Sequence, residues 1–274
     1  MRHIVLLIGL ATGCAGQTLR LPTTTVPVQG HVHVQIIADD GSVRVSSADI
    51  AQVEMEIVAS GYDVQRDLDI SMTPHGDRVD IVAKTRSHWE IFNVTRRSLH
   101  IEVRIPRDAD VQVSSGDGSV EANAIAGNLD VRTGDGNVDV HKARGSIKLH
   151  TGDGSIHAND LDGFVDASTG DGNVNLDGRF DALAVSTGDG NLVANAAAGS
   201  RMVQAWALNT GDGNVHLGLP RDLQAHIDAR THDGSVHSSI PLHHSSSRAH
   251  GDFNGGGPPI TVRTGDGSIH LNQI

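Results

Sequence analysis

Apolar and polar residues alternate in short runs along nearly all of this chain, and from about residue 118 to 199 the runs keep a regular interval. The pairs Leu129/Val131, Val138/Val140, Ile147/Leu149, Ile156/Ala158, Val165/Ala167, Val174/Leu176, Leu183/Val185 and Leu192/Ala194 follow one another every nine residues. A period of two held over three residues predicts a short strand with one buried face. Gly118, Gly127, Gly136, Gly145, Gly154, Gly163, Gly172, Gly190 and Gly199 lie on a matching grid that misses only at Asp181. Short strands with a glycine at every corner predict a chain that coils on itself. The expected fold is all-β: a right-handed parallel β-helix, or β-solenoid, of 18-residue coils, each made of two nine-residue halves. One coil cannot bury its own apolar side, so stability has to come from the stack.

One corner of each coil reads S/T-G-D-G. Its Asp-Gly pairs are Asp117-Gly118, Asp135-Gly136, Asp153-Gly154, Asp171-Gly172 and Asp189-Gly190, spaced by 18 residues, followed by Asp212-Gly213, Asp233-Gly234 and Asp266-Gly267 at looser intervals. These are structural turn residues, with glycine free to take positive φ and Asp or Asn bonding its own corner. Thr133, Thr151, Thr169 and Thr187 recur at the same spacing and predict a stacked column, either hydroxyl-bonded or supplying β-branched bulk.

The rest of the chain fits around this array. Residues 1–13 carry Arg2, His3 and then an apolar run too short to span a bilayer, the pattern of a secretory signal. The run ends in Ala11-Thr12-Gly13-Cys14, which resembles a bacterial lipobox and implies that Cys14 is lipidated. Residues 14–28, with Pro22 and Pro27, are then a polar tether to a membrane. Residues 29–110 alternate less evenly and predict either irregular first coils or an N-terminal β cap. Residues 111–274 make the regular solenoid, with insertions at 196–206 and 241–259. The second insertion holds PLHHSSSRAHGDFNGGGPP, whose Gly and Pro runs are not expected to form a strand.

Taken together, the lipobox-like start, the IPRDADVQV-to-SGDGSV join across Ile105–Val120 and the serial TGDGNV and TGDGSI corners resemble the bacterial DUF4097 family. The resemblance runs from about Val34 onward. It implies an envelope-anchored or secreted all-β solenoid, with "adhesin" as a family label rather than a demonstrated activity. The histidine-rich stretch at 241–259 departs from that pattern.

Candidate chemistry adds little. A net charge of −12 argues against nucleic acid and against electrostatic docking to anionic lipid. Cys14 is the only cysteine, so there is no disulfide framework. Calcium-binding β-rolls carry glycine-rich acidic corners on both sides of each coil, whereas here Asp recurs in one corner only. Asp135-x-Asn137-x-Asp139 begins like an EF-hand loop but has Val140 and Ser146 where glycine and glutamate are needed. Neighbouring Asp corners could in principle act as a glycosidase pair, but every coil repeats the pair, as a structural motif would. The 17 histidines mostly alternate outward and contain no HExxH; His243, His244, His250 and Asp252 are able to meet in one flexible loop, but a histidine-rich surface loop is commoner than a site, so no metal site is assigned and no cofactor is implied.

The expected function is therefore non-enzymatic: an extracytoplasmic binding module, lipid-anchored at the outer membrane, cell surface or periplasmic face. Its expected partners are the membrane through its anchor and a glycan or envelope protein. The expected binding loops carry Trp206 and His243, His244, His250, Asp252 and Phe253, since loops on rigid scaffolds commonly carry function. A structural envelope scaffold with no dedicated ligand and a polysaccharide-acting β-helix enzyme are the alternatives.

Overall fold

The alternating runs become strands in a computed structural model that describes residues 18–86 and 97–274. The expected signal segment and Cys14 lie outside the described residues. Contacts divide the chain into two units, Met1–Gly136 and Asn137–Ile274.

The first unit holds β1 (Thr18–Arg20), β2 (Thr24–Pro27), β3 (Val32–Ala38), β4 (Ser42–Ala48), β5 (Gln52–Ser60), a one-turn helix α1 (Val64–Asp67), β6 (Leu68–His75), β7 (Arg78–Thr85), β8 (Ser98–Pro106), β9 (Ala109–Ser115), β10 (Val120–Ala126) and β11 (Leu129–Thr133). Two parallel stacks run through it, β7-β3-β9-β11 and β8-β4-β10. Their inward columns are Val32, Val34 and Ile36 against Val111 and Val113, and Val43 and Val45 against Ile101 and Val103, all buried. Antiparallel strands cover the outer edges: β6 lies on β7, and β5 on β8. β1 and β2 add to β5, so residues expected as tether include two strands. Leu21 and Val26 are buried there, and pairing satisfies an edge that would otherwise invite another chain.

The second unit begins with three long parallel strands, β12 (Val138–Thr151), β13 (Ile156–Ser168) and β14 (Val174–Thr187). Val138 pairs with Ile156, and Ile156 with Val174. Each of β12 and β13 carries two of the apolar pairs, joined at a bend where Lys142 (φ 59°) and Gly145 (φ 123°), or Asp160 (φ 54°) and Gly163 (φ 133°), take left-handed backbone. The grid's miss at Asp181 is a one-residue slip inside β14, where Gly163 pairs with Phe180 and Phe164 with Ala182. Gly178 there takes the close-packed place, because a Cβ on it would meet the Leu161 carbonyl.

The following strands are β15 (Leu192–Ala196), β16 (Trp206–Thr210), β17 (Val215–Leu219), β18 (Ala225–Thr231), β19 (Val236–Ser238), β20 (His243–Ser245), β21 (Arg248–Phe253), β22 (Pro259–Thr264) and β23 (Ile269–Gln273). They do not stack in chain order. β22 sits between β16 and β18, and β23 between β17 and β19. Along the stack the Asp-Gly corners therefore run Asp212, Asp266, Asp233. The 241–259 stretch corrects the loop expectation: β20 and β21 form a hairpin laid antiparallel on β18. Ala249 and Phe253 point inward and are buried, which gives the hairpin an apolar face to dock and covers the β18 edge.

Candidate functional site

The repeated corner is the first place to look for chemistry, and its side chains serve the stack. The Thr187 hydroxyl donates to the Gly172 carbonyl at 2.8 Å and lies 3.4 Å from the Gly170 carbonyl, while it accepts from the Gly190 N–H at 3.2 Å. Thr169, Thr210, Thr231 and Thr264 repeat the donation to the coil below, so the column is hydroxyl-bonded. One residue past each corner, an amide ladder runs upward: Asn173 Oδ1 accepts from the Asn191 N–H, and Asn191 Oδ1 from the Asn214 N–H. Close approach, not positive φ, demands the corner glycines. A Cβ on Gly172, Gly190, Gly213 or Gly267 would fall on the carbonyl oxygen of the glycine in the neighbouring coil.

The corner aspartates Asp117, Asp135, Asp153, Asp171, Asp189, Asp212, Asp233 and Asp266 are all exposed. Among the described residues no hydrogen bond or ion pair engages their carboxylates, so they do not bond their own corners as the turn reading supposed.

The residues expected in binding loops are dispersed. Trp206 is fully buried in β16, edge-on to Phe180 at 5.9 Å, with its indole N–H unpaired, and Phe253 is buried in β21. Neither offers a surface to a ligand; both fill the core. His243 and His250 face each other across the hairpin with ring centres 5.5 Å apart, and His244 is exposed beside them. Asp252 pairs instead with His226 Nδ1 at 2.7 Å.

Two other histidine groups emerge from strand register. In the second unit His216, His270 and His237 stack on β17, β23 and β19, with ring centres 4.6 and 5.0 Å apart. Burial, and then the neighbouring rings of His216 and His237, push the His270 pKa below the usual imidazole range.

In the first unit, His31 and His33 lie on the outward side of the chain entering β3, and register places Asp110 of β9 beside His33. His31 Nε2 is 3.2 Å and His33 Nδ1 3.4 Å from Asp110 Oδ2, while His31 Nδ1 is 2.6 Å from Asp108 Oδ1. One nitrogen of each ring and one carboxylate oxygen all lie within 4.8 Å of one another, so these three residues are able to hold a metal. The hydrogen bond to Asp108, and then that to Asp110, raise the His31 pKa. Burial opposes ionisation of Asp110, but the Asn128 N–H at 2.7 Å, the Asn128 side chain and His31 together hold its carboxyl below the usual range. The same surface carries an open groove of about 360 Å3, lined by Gln35, Arg78, Asp110, Gln112, Asn128 and Asp130 among others. The H-x-H spacing was legible as an outward pair; its carboxylate partner, 77 residues away from His33, depends on strand pairing alone.

Residues 31–272 match the family model Toastrack DUF4097. The chain belongs to that family. Among solved structures it is similar to a "putative adhesin" of Bacteroides fragilis, at 12% identity over 94% of this chain and 97% of that one, with a TM-score of 0.46. A "putative lipid binding protein" of Parabacteroides distasonis is similar at 14% identity over 94% and 98%, with a TM-score of 0.45. Comparison with curated proteins gives no match. Among the described residues no helix is long and apolar enough to cross a membrane.

Proposed function

We propose that this DUF4097 protein is a non-enzymatic binding module of the cell envelope, lipidated at Cys14 and presented outside the cytoplasm on a right-handed solenoid of 18-residue coils. The observation that carries the binding role is the polar groove of the first unit. Its amide, guanidinium and carboxylate groups stand on adjacent, rigidly paired strands, an arrangement suited to the hydroxyls of a glycan. The lipobox-like Ala11–Cys14 run supports the anchor, and the pairing of Val138 with Ile156, and of Ile156 with Val174, supports the coil length. Right-handedness rests on the general hand of parallel β crossovers.

Binding of the full chain to arrayed bacterial and host glycans and to isolated envelope fractions tests this reading, with the double variant Arg78→Ala, Gln112→Ala alongside. Saturable retention on one glycan class, lost in the variant, is the expected result. Uniform failure of a well-folded chain to bind would overturn it. The scaffold reading has its own support, since every buried group of the TGDG corners serves stacking, and it is what such a failure would leave. Turnover of a bound polysaccharide would overturn the non-enzymatic part.

A further inference from the structure

We infer that His31, His33 and Asp110 form a site for a divalent transition-metal ion, with zinc the ion best matched to two imidazoles and a carboxylate. This goes beyond the glycan-binding reading and does not depend on it.

The distances carry the inference. Zinc bonds to nitrogen and carboxylate oxygen are about 2.0–2.2 Å, so two ligands at a tetrahedral angle stand roughly 3.3 Å apart. Asp110 Oδ2 lies 3.2 Å from His31 Nε2 and 3.4 Å from His33 Nδ1, and all three ligand atoms are within 4.8 Å of one another. Two nitrogen donors disfavour calcium and magnesium, which select oxygen.

The surroundings orient each ligand. Asp108 accepts the Nδ1 proton of His31, as carboxylates commonly do behind metal-binding histidines. Asp110 is itself held by the Asn128 N–H and side chain. Gly127 makes that grip possible, since a Cβ there would sit 2.8 Å from Asp110 Oδ1 and against the Ala109 carbonyl. His31 and His33 side chains are 41% and 51% exposed, which leaves a coordination position open to water or to a ligand. Three protein ligands with one open position is the pattern of zinc sites that take exogenous ligands.

The test is calorimetric titration of the untagged, metal-free full chain with zinc, paired with visible absorption of the cobalt(II) form. One tight site with a tetrahedral cobalt spectrum is expected. Asp108→Asn should weaken it about 10- to 100-fold by releasing the His31 ring. The double variant His31→Gln, His33→Gln should weaken it further than that, and His243→Gln with His250→Gln should leave it unchanged. Circular dichroism of each variant establishes that the fold persists; should the double variant unfold, His33→Gln alone serves in its place. Absence of tight zinc binding by the folded wild-type chain would overturn the proposal. So would tight binding that survives loss of His33, or that disappears with His243 and His250.

Discussion

The Thr187–Asn191 corner of the second unit and the His31–Asp110 surface of the first are both built by stacking parallel strands, yet they treat polar side chains differently. At the corner, Thr187 and Asn191 bond backbone or side chains of adjoining coils, and Gly190 is there because nothing larger fits. At the histidine surface, the His31 and His33 side chains instead converge with a carboxylate from another strand. A motif that recurs in every coil is accounted for by what every coil needs. A cluster that occurs once among the described residues, on a surface with an open groove, has no such explanation.

Substitutions can break or sharpen this contrast. Gly190→Ala should have the largest effect, about 3 kcal/mol of lost stability in urea melts, because the new methyl group meets a backbone carbonyl that cannot move aside. A loss of under about 1 kcal/mol would remove the close-packing account of the corner. Thr187→Val keeps the shape but leaves the Gly172 carbonyl and the Gly190 N–H short of a buried partner. It should cost about 1–2 kcal/mol, and Thr187→Ser should recover most of the hydrogen-bonding part.

Acid should act through the histidine stack. The folded protein protonates His270 less readily than the unfolded chain does. Unfolding therefore takes up a proton in the interval between the ordinary imidazole pKa and the lower folded one. The contribution of His270 is intact above that interval and is lost as pH falls through it. Thermal melts between about pH 8 and pH 5 should show the decline, and His270→Gln should flatten it. If the slope is unchanged, burial of His270 does not govern acid sensitivity. Asp171→Asn and His33→Gln should have the smallest effects on stability, within about 0.5 kcal/mol, since both side chains are exposed and neither supports the stack. A larger loss in Asp171→Asn would show that the corner carboxylates do structural work after all.

Much of the architecture was legible because a nine-residue apolar rhythm admits few folds. The inward pairs from Leu129/Val131 to Leu192/Ala194 are buried as expected, and the threonine column is real. The site was legible only in fragments. Trp206 and Phe253 looked like exposed loop aromatics because their neighbours are rich in glycine, alanine and polar residues, but alternation with Leu208 and with Ala249 points them inward. The H-x-H pair was visible as one face of a strand, whereas nothing local indicates that Asp108 and Asp110 lie beside it.

By itself, then, the sequence determined periodicity: which residues face in, where the chain turns, and which family it belongs to. Those properties are local, set by side-chain alternation and by the glycines and threonines of each corner. Tertiary structure decided which strands are neighbours. It inserted β22 and β23 between earlier coils, folded 243–253 into an edge-covering hairpin, and brought His31 and His33 against Asp110. The physical reason is that strands present similar backbone edges to any partner. The choice among them is made by packing of the whole inward column and by the need to leave no edge unpaired.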